Sequence, residues 1–186
     1  GLDPELPPRT LEEFDRAAEL CTKYRNDDPT QGFERIGFAY DSGLLYWSNA
    51  FGADLWDPSE QRLRVDTPQM LASLKWLKAN ADRYGYRRLQ AYSSSLGNVV
   101  SPNNPFITGK VAMCIVGAWY RDIIDQYAPK DFEWGWFPLP APEGGRPNST
   151  SLNASMFVIP SGSRHKEQAW DFLLWATSPY VVTHFH

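Results

Sequence analysis

Tryptophan is the residue in this chain with the most to offer another molecule. Eight of the 186 residues are Trp, and aromatic residues make up 15% of the chain. An indole either fills a core or presents a broad apolar face to a ligand. The stretch "FITGKVAMCIVGAWYRD" places Trp119 and Tyr120 directly after an apolar run, residues 111–116, and Gly117. Ligands of open α/β sheets bind in the crevice beyond the strand ends. There Trp119, with Tyr120 beside it, offers a face to the C–H side of a sugar ring; the other reading is a core or lid tryptophan. The hydroxyls around such a ring need polar partners. Tyr46, Trp47, Asn49, Ser151 and Asn153 fall in loops or at element ends that can converge on it, with a core role the competing reading for Trp47.

Catalytic chemistry finds less support. Of the histidines, His165 sits at an expected helix start, while His184 and His186 fall in the last three residues. Zinc sites take three or four protein ligands, so two histidines at a chain end give no metal site, and no cofactor is expected. Glycoside hydrolysis requires two carboxylates at a fixed separation. Asp41, Asp54 and Glu133 are available, but nothing in the sequence pairs them. Glycine-rich phosphate loops and nucleophile elbows are absent. The chain therefore reads as a binding protein and not an enzyme. The alternatives are a carbohydrate-active enzyme or a glycan-binding module that uses the same aromatic platforms. Its net charge of -4, with no basic run, argues against nucleic acid, which requires clustered Lys and Arg. No apolar stretch approaches the ~20 residues of a membrane-spanning helix. Cys21 and Cys114 read as free thiols acting as small apolar residues, or as a disulfide if the fold brings them together. Arg121 is a solvated helix residue or, beside the aromatic pair, an anion contact.

The elements that must position these residues alternate between helix and strand. Thr10 and Glu13 have capping-box spacing and start a helix expected over about 11–25. A strand follows in "FERIGFAY", residues 33–40, with its apolar run at 36–40. A helix ended by Gly52 comes next, then a short strand at 61–66. Thr67 and Pro68 start another helix, with Met70, Leu74, Leu77 and Ala81 on its apolar face. Residues 87–105 read as a polar loop and 105–110 as a short helix. The continuous apolar run at 111–116 suits a strand covered on both faces. A helix over 119–127, strands in "FEWGWFPLPAP" and "SMFVIP", and a helix in "HKEQAWDFLLWAT" complete the chain. Trp76, Trp170 and Trp175 take core positions on helices, and Trp134 and Trp136 share one half-buried strand face. The expected class is α/β, a mixed sheet flanked by helices.

Four motifs in order, "PPRTLEEFDRAAEL", "FITGKVAMCIVGAWYRD", "WGWFPLPAPEGG" and "NASMFVIPSGSRHKEQAWDFLLWATS", resemble the extracellular solute-binding proteins of ABC transporters, in the sugar-binding group that includes maltose-binding protein. The resemblance covers nearly the whole chain. It implies a type II periplasmic binding fold: two lobes closing on a sugar or polyol, with no catalysis, and delivery to an ABC permease. Such proteins are periplasmic, extracellular or lipid-anchored to the cell surface. The resemblance makes Trp119, the Trp of Gly-x-Trp, the sugar-stacking residue. It puts ligand contacts in the loop about Ser151 to Ser155, where "TSLNAS" replaces a Gly-Gly-rich sequence and favours Asn153 as a side-chain donor. Family members run to roughly twice this length, so the chain reads as an incomplete two-lobe protein, and Gly1 and "VVTHFH" read as cuts through a longer one. Residues 1–153 would be the second, C-terminal lobe, and 154–186 a strand and helix that cross back to the first. That segment is expected to pack on its own lobe or on a neighbouring chain, as a dimer or by segment exchange. With half a cleft, ligand binding is expected to be weak or undetectable.

Overall fold

The computed structural model describes residues 2–3, 5–40, 43–152 and 156–184. The chain divides into two compact units, Gly1–Ser151 and Leu152–His186. In the first, helices alternate with short strands: α1 (Leu11–Cys21), β1 (Lys23–Tyr24), β2 (Phe33–Arg35), α2 (Leu44–Ala50), β3 (Trp56–Asp57), β4 (Arg62–Leu63), α3 (Pro68–Tyr84), α4 (Tyr86–Ser94) and α5 (Tyr120–Tyr127). β1 pairs antiparallel with β2, and β3 with β4. This is the α/β class expected, with a sheet much smaller than the sequence suggests.

Local signals fix the helix starts. The Thr10 hydroxyl accepts from the Glu13 amide at 3.2 Å, and the Glu13 carboxylate accepts from the Arg9 and Thr10 amides. This capping box satisfies donors that have no partner within the helix. α1 ends four residues earlier than expected because Thr22 is extended. Its hydroxyl donates to Ala18 O at 2.8 Å and accepts from the Gly37 amide at 3.0 Å, which turns the chain into β1. At α3 the Thr67 hydroxyl accepts from the Met70 amide, with Pro68 at the first helical position. Its buried face runs through Met70, Ser73, Leu77, Asn80, Ala81 and Tyr84, while Leu74 is exposed.

Further expectations are corrected in this unit. The strand expected over 33–40 forms only at Phe33–Arg35. Residues 86–94 are helical, not loop: Leu89 and Tyr92 are buried, and the Tyr92 hydroxyl reaches Glu34 O and Lys110 O. The dense polar residues of α4 hide that two-residue apolar face. The expected helix at 105–110 is a run of turns. The run at 111–116 forms only a parallel bridge, Val111 to Ile36, with the Ala112 and Met113 amides donating to Ile36 O and Gly37 O. Val111, Met113 and Ile115 face the core, whereas Cys114 and Val116 are exposed. One face is covered, not two. "FEWGWFPLPAP" makes a single parallel bridge, Ala141 to Thr10. Phe137 and Leu139 pack on the core there, and Trp134 and Trp136 are exposed.

The core is aromatic. Phe14, Phe38, Tyr40 and Trp47 meet mostly edge to face, with Phe14–Phe38 and Phe38–Tyr40 centroids each 5.0 Å apart, an arrangement favoured by the ring quadrupoles. Trp76 packs against Trp47 at 4.5 Å. Burial, reinforced by the Asp15 carboxylate, drives the Tyr40 phenol far above its ordinary value near 10. Burial pushes Tyr120 up to about 12. A phenol that holds its proton more tightly when folded gives stability that is complete below pH ~10 and is lost as pH rises through the folded value. The urea midpoint should therefore fall above pH ~10, and Tyr40→Phe should flatten that fall. A midpoint constant to pH ~12 would contradict this account.

The second unit holds α6 (Lys166–Ala176) and α7 (Pro179–His184). Residues 156–160, expected as a strand, have no regular structure, because a strand exists only where a neighbour pairs with it. Trp170 and Trp175 are exposed on α6, not core. Cys21 and Cys114 are free thiols, the first half-buried.

Candidate functional site

The N-terminus of α5 carries the most exposed of the candidate aromatics. Trp119 precedes the helix and is 52% exposed. Its indole folds back over Gly117: a Cβ there would lie 2.6–2.7 Å from the ring atoms Nε1 and Cδ1. Gly117 thus makes room for the ring. On its other flank Trp119 meets Tyr120 edge to face, with centroids 5.6 Å apart at 78°. The result is an indole held against Gly117 and Tyr120 with about half of its surface in solvent.

Tyr120 does not join it at the surface. It is buried, and its hydroxyl donates to Asn104 Oδ1 at 2.8 Å. Its ring leans on Phe106, which in turn packs on Phe132. Tyr120 is an anchor beneath Trp119, not a second platform. Trp47 is corrected in the same sense: it is 0% exposed at the centre of the core and offers no face to a ligand. Gly43, with φ of 84°, passes 3.3 Å from that ring at the position a Cβ would take.

The polar candidates belong to another constellation, at the end of α2. Tyr46 is half-buried on that helix. Asn49 has both amide atoms engaged: Nδ2 donates to Thr150 O at 3.4 Å, and Oδ1 accepts from Arg146 at 3.3 Å. Arg146 also pairs with Asp54 at 2.7 Å, and its amide donates to Ala50 O. These contacts clamp the loop before Ser151 onto α2. Ser151 is exposed at the end of the first unit, and Asn153 lies outside the described residues. Sequence reasoning missed Arg146 and Asn104. Arg146 stands 92 residues from Asp54, and no local pattern announces such a pair.

Arg121 pairs with Asp125 one turn on, both exposed. Among the described residues no three His, Cys, Asp or Glu cluster to hold a metal ion, and no helix is long and apolar enough to cross a membrane. The arrangement suits stacking against an apolar ring face.

The family model for bacterial extracellular solute-binding proteins matches residues 1–181. No curated protein and no solved structure matches the chain.

Proposed function

The chain belongs to the bacterial extracellular solute-binding protein family, and we propose that its solute is a carbohydrate or polyol, passed on to the membrane subunits of an ABC importer. Binding a solute outside the cell is the family's role; the sugar class is our own reading. Trp119 carries it. Its indole is about half exposed and is held in place against Gly117 and Tyr120 at the start of α5, and an indole so held offers apolar surface to a ligand ring. The C–H faces of sugar rings are apolar and match such a surface, while their hydroxyls call for nearby polar groups. Ser151, and Asn153 beyond it, are proposed for that part. Asn49 and Tyr46 are proposed to shape the neighbouring loop, since the Asn49 amide is already engaged. In the same reading residues 1–153 act as one lobe, and 154–186 cross towards the other.

The test is a titration of the chain with maltose, D-glucitol and glycerol 3-phosphate, followed by tryptophan fluorescence. Maltose or D-glucitol should give saturable quenching. A stacked aromatic adds about 0.5–1.5 kcal/mol, so Trp119→Ala should weaken binding about two- to tenfold at an unchanged melting temperature. Unaltered affinity in Trp119→Ala, or binding of glycerol 3-phosphate alone, would overturn the sugar reading.

A further inference from the structure

We propose that Asn104 is a positioning residue for Trp119: a fully buried amide that a ligand never touches sets the orientation of the indole through the Tyr120 hydroxyl. The functional weight of this inference rests on the reading of Trp119 as the ligand platform; its structural content does not.

Asn104 is 0% exposed. Its Oδ1 accepts from the Phe106 amide at 2.9 Å, the Ile107 amide at 3.3 Å and the Tyr120 hydroxyl at 2.8 Å. Its Nδ2 donates to Val99 O. The orientation of the amide follows from these partners: a flipped group would set NH2 against two N–H donors and an oxygen against a carbonyl. The backbone of Asn104 is tied as well, its amide to Ser101 O at 3.0 Å and its carbonyl to the Thr108 amide at 2.9 Å. One side chain thus joins the loop at 98–108 to the first residue of α5.

That junction matters for Trp119 because the N-terminus of α5 has no side-chain cap. Local turn bonds, Tyr120 N to Gly117 O among them, start the helix, and the Tyr120–Asn104 hydrogen bond, with Cys114 also bonded to the Tyr120 hydroxyl, ties it to the 98–108 loop. Trp119 immediately precedes the helix, and its ring meets the Gly117 backbone and the Tyr120 ring. If the Tyr120 ring shifts, the Trp119 ring loses a surface that sets its angle. Asparagine suits the position on chemical grounds. Aspartate lacks the donor for Val99 O, and buried donors and acceptors without partners are costly.

The test reads Trp119 directly. The chain is labelled uniformly with 5-fluorotryptophan, and the fluorine line of Trp119, one of eight, is assigned by its absence in Trp119→Phe. Tyr120→Phe removes a single hydroxyl and keeps the ring. It should move the Trp119 line further than any other, with the Trp47 and Trp76 lines in place. Asn104→Ala should do the same, and the double variant should add little. Asn104→Ala strips a buried hub and risks unfolding, so Tyr120→Phe carries the decision. A Trp119 line unmoved in Tyr120→Phe, or all lines moving together, would overturn the inference. Titration with maltose separates it from the functional reading. Unchanged binding in Trp119→Ala sinks the platform alone. Weakened binding in Trp119→Ala, with Tyr120→Phe normal in both affinity and fluorine spectrum, sinks the positioning role alone.

Discussion

Gly37→Ala should lower the melting temperature of the first unit by ~6–12 °C. Gly37 lies where three segments meet: its amide donates to the Thr22 hydroxyl, its carbonyl accepts from the Met113 amide, and the last turns of α1 press on its Cα. A Cβ at this position would fall 1.8 Å from Ala18 O and 2.6 Å from Ala18 Cα. These are backbone atoms of a helix and cannot rotate aside. The methyl group can enter only if α1 lifts away, and α1 brings Leu11, Phe14 and Ala18 to the core. Overpacking of this kind costs about 3 kcal/mol, and in a unit of this size each kcal/mol moves the midpoint by ~2–4 °C. Gly135→Ala is the control, since its Cβ would meet nothing within 4 Å; it should melt within ~2 °C of the parent. If Gly37→Ala melted with the control, the close approach of α1 would be wrong.

Asp15→Ala should be comparably damaging, through lost hydrogen bonds and not through lost volume. The Asp15 carboxylate accepts from the Tyr40 hydroxyl at 2.8 Å, from Trp76 Nε1 at 2.9 Å and, more distantly, from Asn80 Nδ2 at 3.4 Å. It joins α1 to α3 across the aromatic core. Its removal strands two donors in poorly hydrated surroundings, at about 1–3 kcal/mol each. The midpoint should drop by ~5–15 °C. Adding Tyr40→Phe to Asp15→Ala should recover part of the loss, because removing both partners of a buried hydrogen bond costs less than removing one. Strict additivity of the two variants, or an Asp15→Ala melt within ~1 °C of the parent, would show that the carboxylate does not organise this junction.

Both residues lie in elements whose starts are visible in the sequence, yet neither role is. Capping is local: Thr10 and Glu13 are three residues apart, and Thr67, Pro68 and Met70 are neighbours, so the boundaries of α1 and α3 follow from spacing. The order of the four motifs was equally legible and led to the family that matches residues 1–181. α4 escaped notice because Leu89 and Tyr92 alone mark its buried side. Strands fared worst. The run at 111–116 has strong β character but pairs only where Ile36 and Gly37 come alongside.

The candidate site divides along the same line. Trp47 lies within α2 and Trp119 just before α5, and their immediate neighbours do not tell which ring is buried. One is sealed among Phe14, Phe38 and Trp76, the other stands half in water over Gly117. Asn104 and Arg146 acquired their partners only when distant segments came together. The sequence by itself determined the helix caps, the absence of a long apolar span and the family, because each depends on residues close in the chain or on motifs in order. The tertiary structure decided which indole faces solvent, which apolar runs become strands and which amide holds Tyr120. Burial, strand pairing and hydrogen bonds between remote side chains require a partner, and chain order does not specify where that partner will be.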